Sequence, residues 1–178
     1  MLNAKKLTTE ETLQTITLKA PYLLFIGSET EPIYAKTAAG LAHWVPEKCM
    51  GQLSLPGGTI DLGLPKHDVV SAAKAGAKSL VIGTSAVGGA IPAAWMPTLI
   101  QALESGLDIV AGVHTKLNEM PELVAAAKES GASLVDVRVP PKDIPVGTGL
   151  KRTGKRLLTV GTDCALGKKY TALAIARA

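Results

Sequence analysis

Three times between residues 69 and 137 the chain runs through an apolar stripe of helical period, a glycine, and a short run rich in Val, Ile and Leu. Val69, Ala72, Ala73 and Gly76 fall at i, i+3, i+4 and i+7, and Ser79-Leu80-Val81-Ile82 follows. Met96, Leu99, Ile100 and Leu103 repeat the spacing ahead of Gly106 and Asp108-Ile109-Val110-Ala111. Leu123, Ala126 and Ala127 form the third stripe, ahead of Gly131 and Leu134-Val135-Asp136-Val137. A period near 3.6 marks an amphipathic helix and a short β-branched run marks a strand, so the two signals alternate along the chain. Gly76, Gly106 and Gly131 stand where a helix end calls for a left-handed residue. They are 30 and 25 residues apart, the length of one βαβ unit.

The strand runs are almost continuously apolar, as strands covered on both faces should be. Tyr22-Leu23-Leu24-Phe25-Ile26 supplies an earlier strand, Tyr34 to Trp44 reads as a helix, and Met50 to Leu55 as a further strand. Together these predict an α/β fold: a Rossmann-like, five-stranded parallel sheet with helices on both faces, in a domain over residues 1–140. Aromatic residues make up only 3% of the 178 residues. The core must therefore be aliphatic, and the composition argues against a base-stacking RNA-binding sheet.

The formal charge of +4 belongs to one end of the chain. Residues 1–150 hold 12 basic and 14 acidic side chains, whereas 151–178 hold seven and one. A nucleic-acid face on the main domain is thus unsupported. No apolar run approaches the ~20 residues needed to span a bilayer, and Met1 to Thr17 lacks an apolar stretch of signal-peptide length. Cys49 and Cys164 are far apart and show no metal-ligand spacing. The expectation is a cytoplasmic protein with no nucleic-acid, membrane or metal partner, forming a homo-oligomer.

A linker is expected over 141–156, where Pro141, Pro145, Gly147, Gly149 and Gly154 alternate with Lys and Arg, a mixture that continues neither helix nor central strand. A second α/β domain is expected to open at 157–178. Arg156-Leu157-Leu158-Thr159-Val160 reads as its first strand, and Tyr170 to Ala178 as a helix beyond a glycine-rich turn. A strand, loop and helix bury too little to form a core alone, so the chain is expected to be the front part of a longer protein or to pack on a neighbour.

That turn, Gly161-Thr162-Asp163-Cys164-Ala165-Leu166-Gly167-Lys168, carries the strongest chemical signal. Between a strand and a helix, successive backbone N–H groups can surround phosphate oxygens, with the helix N-terminus and Lys168 adding positive charge. Such a loop suits ATP with Mg²⁺ and equally the phosphates of coenzyme A. Thr162 stands where a glycine of the usual spacing belongs, and the Gly-Thr-Asp opening resembles the loop of dethiobiotin synthetase and its relatives. Lys169 occupies the position where Ser or Thr ordinarily ligates Mg²⁺; Thr171 lies two residues on. Cys164 reads either as a thiol activated by the helix end or as a small loop residue.

A second glycine-rich segment, Gly83-Thr84-Ser85-Ala86-Val87-Gly88-Gly89, follows the third strand run. In open parallel sheets ligands bind beyond the strands' carboxyl ends, so Gly83, Gly88 and Gly89 are candidates for a binding loop, with a tight turn as the alternative. The segment lacks G-x-G-x-x-G spacing, and NAD is the weaker reading. His114 follows the fourth strand and is either a general base or a hydrogen-bonded structural histidine. Lys36 and Arg138 either hold a substrate carboxylate or are solvated surface groups; Lys116 ends a strand as well. Trp44 and Trp95 read as packing residues.

The stretch Gly-Thr-Asp-Cys-Ala-Leu-Gly-Lys-Lys-Tyr-Thr-Ala over 161–172 resembles a family with a Rossmann-like amino-terminal domain and a P-loop carboxy-terminal domain, which includes D-glutamate N-acetyltransferase. Tyr34-Ala35-Lys36-Thr37-Ala38, Ile82-Gly83 with Gly88-Gly89, Ser105 to Val110 with Gly112 and His114, and Asp136-Val137-Arg138 extend the resemblance over about 20–178. It implies transfer of acetyl from acetyl-CoA to the amine of D-glutamate or a related amino acid, and a full chain about twice this long. On that reading Gly161, Thr162, Asp163, Cys164, Gly167, Lys168 and Thr171 would bind the phosphates of coenzyme A or a nucleotide. Two other readings stay open: an ATP-dependent ligase or kinase acting on a carboxylate, and a non-catalytic binding or oligomerisation module.

Overall fold

Residues 22–27 are six consecutive buried residues, and the sheet grows from this strand in both directions. The structure is a computed structural model that describes residues 16–85, 89–139, 146, 149–151, 153–162 and 167–178. Its strands are β1 (Tyr22–Gly27), β2 (Cys49–Ser54), β3 (Ser79–Ile82), β4 (Asp108–Ala111) and β5 (Leu134–Asp136), all parallel and in the spatial order β2-β1-β3-β4-β5. Helices α1 (Lys36–Trp44), α2 (Val69–Lys74), α3 (Met96–Glu104) and α4 (Pro121–Ser130) lie between successive strands. A fifth, α5 (Lys168–Arg177), follows in the second of the chain's two units, Met1–Pro141 and Lys142–Ala178. No helix among the described residues is long and apolar enough to cross a membrane.

Strand order decides which face each helix covers. The step from β1 to β2 runs one way along the sheet, and the steps β2 to β3, β3 to β4 and β4 to β5 run the other. Right-handed crossovers then put α1 on one face and α2, α3 and α4 on the opposite one. The core divides accordingly. Leu23, Phe25, Leu80, Ile82 and Ile109 pack with Val69, Ala72, Leu99, Leu103 and Leu123, whereas Tyr22, Leu24, Ile26, Val81 and Val110 pack with Ala38 of α1. The helices are thus on both faces as expected, three against one. Gly76, Gly106 and Gly131 all have left-handed φ, at 99°, 81° and 74°.

Trp95 packs at the carboxyl end of β1. Its indole meets the Phe25 ring edge-on at 5.2 Å, and a Cβ on Gly27 would come within 3.0 Å of it. Trp44 is half-buried beside His43. Burial pushes the Cys49 thiol up, with the nearby Glu47 carboxylate adding to the shift.

One expected element is corrected. Arg156–Val160 carries no strand, and Leu157, Leu158 and Val160 are 74%, 80% and 79% exposed. A β-branched, apolar run becomes a strand only when a neighbour completes its ladder, and among the described residues none does.

At the opposite, amino edge, Asp108 is buried. Its Oδ1 accepts from the Ser133 N–H at 2.9 Å and its Oδ2 pairs with Lys19 at 2.8 Å. Asp108→Ala removes the carboxylate that the Ser133 N–H and Lys19 both meet and is expected to cost about 1–3 kcal/mol of stability. Asp108→Asn, which keeps the acceptor, should cost less; urea unfolding of the two variants measures the difference.

Candidate functional site

Because every strand is parallel, all five carboxyl ends open on one edge, where a doubly wound sheet binds ligands. The order β2-β1-β3-β4-β5 places the change of direction at β1 and β3. There Gly83 is fixed by contact with the chain: its carbonyl accepts from the Ala38 N–H at 2.9 Å, and a Cβ would run into Ala38. Close approach of α1 to β3 therefore requires a residue without a side chain at 83. Thr84 follows. It is 4% exposed, and its hydroxyl is the buried side-chain polar atom among the described residues without a hydrogen-bond partner.

The connection from β1 to α1 holds its own anion. Glu29 Oε1 accepts from the Thr30 and Glu31 N–H groups at 2.9 and 3.0 Å. A dinucleotide pyrophosphate would have to displace that carboxylate from its backbone donors, against a second negative charge on Glu31. In this connection the amides of residues 30 and 31 are thus already occupied by a carboxylate.

Three of the candidate residues meet further along the edge. His114, at the end of β4, and Arg138, just beyond β5, approach with Arg138 Nη1 3.2 Å from His114 Nε2. Gly89 lies against the same imidazole: its carbonyl accepts from the His114 and Thr115 N–H groups at 3.1 and 3.3 Å. Its φ is +72°, and a Cβ would run into His114 Cδ2. Asp136 ties the two strand ends together. Its Oδ1 accepts from the Leu117 N–H at 2.8 Å, and its Oδ2 accepts from Asn118 Nδ2 at 2.8 Å. Lys116 pairs with Glu119 at 3.2 Å. Lys36 opens α1 beside β1 and β3 and so stands elsewhere on the edge. Gly88 lies outside the described residues.

In the second unit, Gly167 (φ +87°) immediately precedes α5, and Lys168 is that helix's first residue. Thr171 donates from both its N–H and its hydroxyl to the Gly167 carbonyl, at 2.9 and 3.1 Å. Thr159 donates its hydroxyl to the Lys168 carbonyl at 2.9 Å. A left-handed glycine before a lysine at a ten-residue helix's start fits a phosphate ligand, since helix N-termini direct N–H groups and partial positive charge outward. Gly161 and Thr162 are exposed, and Asp163 and Cys164 lie outside the described residues.

The segment after β2 escaped the sequence reading. Residues 55–68 fold back beside that edge strand and enclose a depression of about 530 Å³ lined by Gln52, Ser54, Gly58, Thr59, Lys66 and His67 among others. Gln52, 1% exposed, supports it: Nε2 donates to Asp61 Oδ1 at 2.8 Å and Oε1 accepts from the Leu62 N–H at 2.6 Å. Lys66 pairs with Asp61 at 3.1 Å. The available signal was a polar Gln52 inside an apolar run, followed by Pro56-Gly57-Gly58.

The fold and this edge define a class. The chain matches the domain of unknown function DUF1611_N, a Rossmann-like domain, over residues 54–140, and DUF1611, a P-loop domain, over 145–178. It belongs to this two-domain family. It is 48% identical over 158 residues to a D-glutamate N-acetyltransferase of Tritonibacter scottomollicae, covering 89% of this chain and 47% of the relative. It is 45% identical over 161 residues to a D-glutamate N-acetyltransferase of a Pseudoalteromonas species, covering 90% and 48%. The chain thus spans about half the length of these relatives. A solved structure of a DUF1611 family protein from Anabaena variabilis superimposes with a TM-score of 0.74 at 30% identity, over 89% of this chain and 48% of that one.

Asp61 makes the support of the β2 depression acid-sensitive. The Gly63 N–H, then Gln52 and Lys66, hold its carboxyl down at about 2, against an ordinary 3.8. A group with a lowered folded pKa stabilises the fold above its ordinary pKa and loses that contribution as pH falls toward the folded one. The 61–66 turn is expected to loosen as pH falls from about 4 to about 2, seen as lower protection factors at the Leu62 and Gly63 amides once the intrinsic pH dependence of exchange is divided out. Asp61→Asn should remove most of this pH dependence.

Proposed function

We propose that this chain serves an N-acetyltransferase that moves the acetyl group of acetyl-CoA to the amine of D-glutamate or a related amino acid. The observation that carries the reading is identity of 45–48% over about nine-tenths of the chain to two proteins bearing that activity's name. The geometry is compatible with it at both ends. Gly167 and Lys168 at the start of α5 offer a place for coenzyme A phosphates, and the sheet's carboxyl edge offers Arg138 to a carboxylate.

The chemistry sets the requirements. The free amine nitrogen attacks the thioester carbonyl, the C–N bond forms, and the C–S bond breaks as the tetrahedral intermediate collapses. The nitrogen gives up one proton to a base, and the coenzyme A thiolate takes one up. An acceptor with two carboxylates needs cations on the protein to hold it with its amine toward the thioester, and a held geometry lowers the entropic part of the barrier.

Thiol release from acetyl-CoA in the presence of D-glutamate, followed with a thiol-reactive dye on the full-length protein, tests the reading. Release dependent on D-glutamate supports it. Absence of release, with ADP formed from ATP in the presence of a carboxylate, would replace it with the ligase or kinase reading. Lys168→Ala is expected to weaken acetyl-CoA binding by about 1.5–3 kcal/mol, the scale of a charge-assisted hydrogen bond. Unchanged affinity for both acetyl-CoA and ATP would remove the phosphate loop from the mechanism.

A further inference from the structure

We infer that His114 is a positioning residue: its neutral imidazole holds the Arg138 guanidinium at the sheet's carboxyl edge as the carboxylate-recognising group for an anionic amino acid. The inference rests on the acetyltransferase reading for the identity of the acceptor, but the geometry that carries it does not.

Arginine has five N–H donors, no acceptor, and stays cationic. With Arg138 Nη1 at 3.2 Å, His114 Nε2 must be the acceptor, which makes the ring the neutral Nδ1–H tautomer. The lone pair that a general base would use is therefore committed to the guanidinium. Both partners are exposed, so a ligand can reach them. A hydrogen bond through one Nη1 proton leaves the guanidinium donors for a bidentate carboxylate, the geometry for which arginine is suited. The pair carries a single positive charge, the sign an anionic amino acid requires.

The surroundings hold the imidazole to this task. On one side the Gly89 carbonyl accepts from the His114 and Thr115 amides, and a side chain at 89 would run into the ring. From below, Asp136 fixes the loop that begins at His114 by accepting from Leu117 and Asn118. The Val137 N–H donates to the Ala111 carbonyl at 2.9 Å, so the residue before Arg138 is pinned to the strand that leads to His114. The backbone on either side of the pair is thus fixed, which sets the imidazole Nε2 beside the guanidinium and places it to orient that cation.

The test compares wild type, His114→Ala, His114→Gln and Arg138→Lys in the full-length protein, by steady-state thiol release and by calorimetric binding of D-glutamate. If His114 positions Arg138, His114→Ala raises KM and Kd for D-glutamate about tenfold, the effect of losing a hydrogen bond to a charged group, while kcat changes little. His114→Gln, whose Oε1 can still accept from the guanidinium, restores most of the affinity. Arg138→Lys, which keeps the charge and loses the fork, behaves like His114→Ala.

A fall in kcat of a hundredfold or more in both His114 variants with Kd unchanged would make His114 a base and overturn the inference; so would unaltered kinetics in all three variants. D-glutamate binding that weakens as described, without thiol release from wild type, would retain the carboxylate subsite and discard the acetyltransferase reading. Wild type that neither binds D-glutamate nor releases thiol would discard both. Should His114→Ala fail to fold, the contrast between His114→Gln and Arg138→Lys still decides the matter.

Discussion

Strand β1 is the reference for everything else in the first unit. It pairs on both edges, with β2 and with β3, and its side chains are buried on both faces. A strand paired on both edges and buried on both faces is the centre on which the neighbouring strands assemble, in even register with β3 and with two irregularities against β2. Crossover handedness then places the helices, and parallel pairing gathers all five carboxyl ends on one edge. The candidate site is a consequence of that arrangement before any polar residue is considered.

The edge is chemically divided. Near β1 and β3 it is filled by the protein's own groups: Trp95 against Gly27, α1 against Gly83, and the Glu29 carboxylate on the amides of its own loop. Near β4 and β5 it presents a cation braced by an imidazole. Beside β2 it carries a depression whose support is a buried glutamine and a carboxylate held well below its ordinary pKa. The same edge thus sets carboxylates beside β1 and an exposed arginine just beyond β5. The left-handed glycine followed by a lysine at a helix N-terminus is in the other unit, at the start of α5.

Much of this was legible in the residues. The 3.6-period stripes over 69–76, 96–103 and 123–127 and the runs at 79–82 and 108–111 correspond to elements, since aliphatic periodicity answers directly to burial. The segment 156–160 shows where such reading ends: its composition is that of a strand, yet without a partner ladder among the described residues it carries none, and Leu157, Leu158 and Val160 are exposed. The fold-back after β2 was not legible either, because its anchor, Gln52 to Asp61 and Leu62, joins residues nine and ten apart that form no recognised motif.

Local sequence was enough to set the alternation of helix and strand, the left-handed glycines that end the helices, and the parallel class, because each depends on periodicity or on a single residue's φ. His114, Arg138 and Gly89 were separately visible as polar or glycine residues at strand ends. Their meeting, and which atom of the imidazole faces the guanidinium, followed only from the β3-β4-β5 order and the loop held by Asp136. Residues 24 to 49 positions apart become neighbours through strand pairing, and no local pattern encodes such a distance.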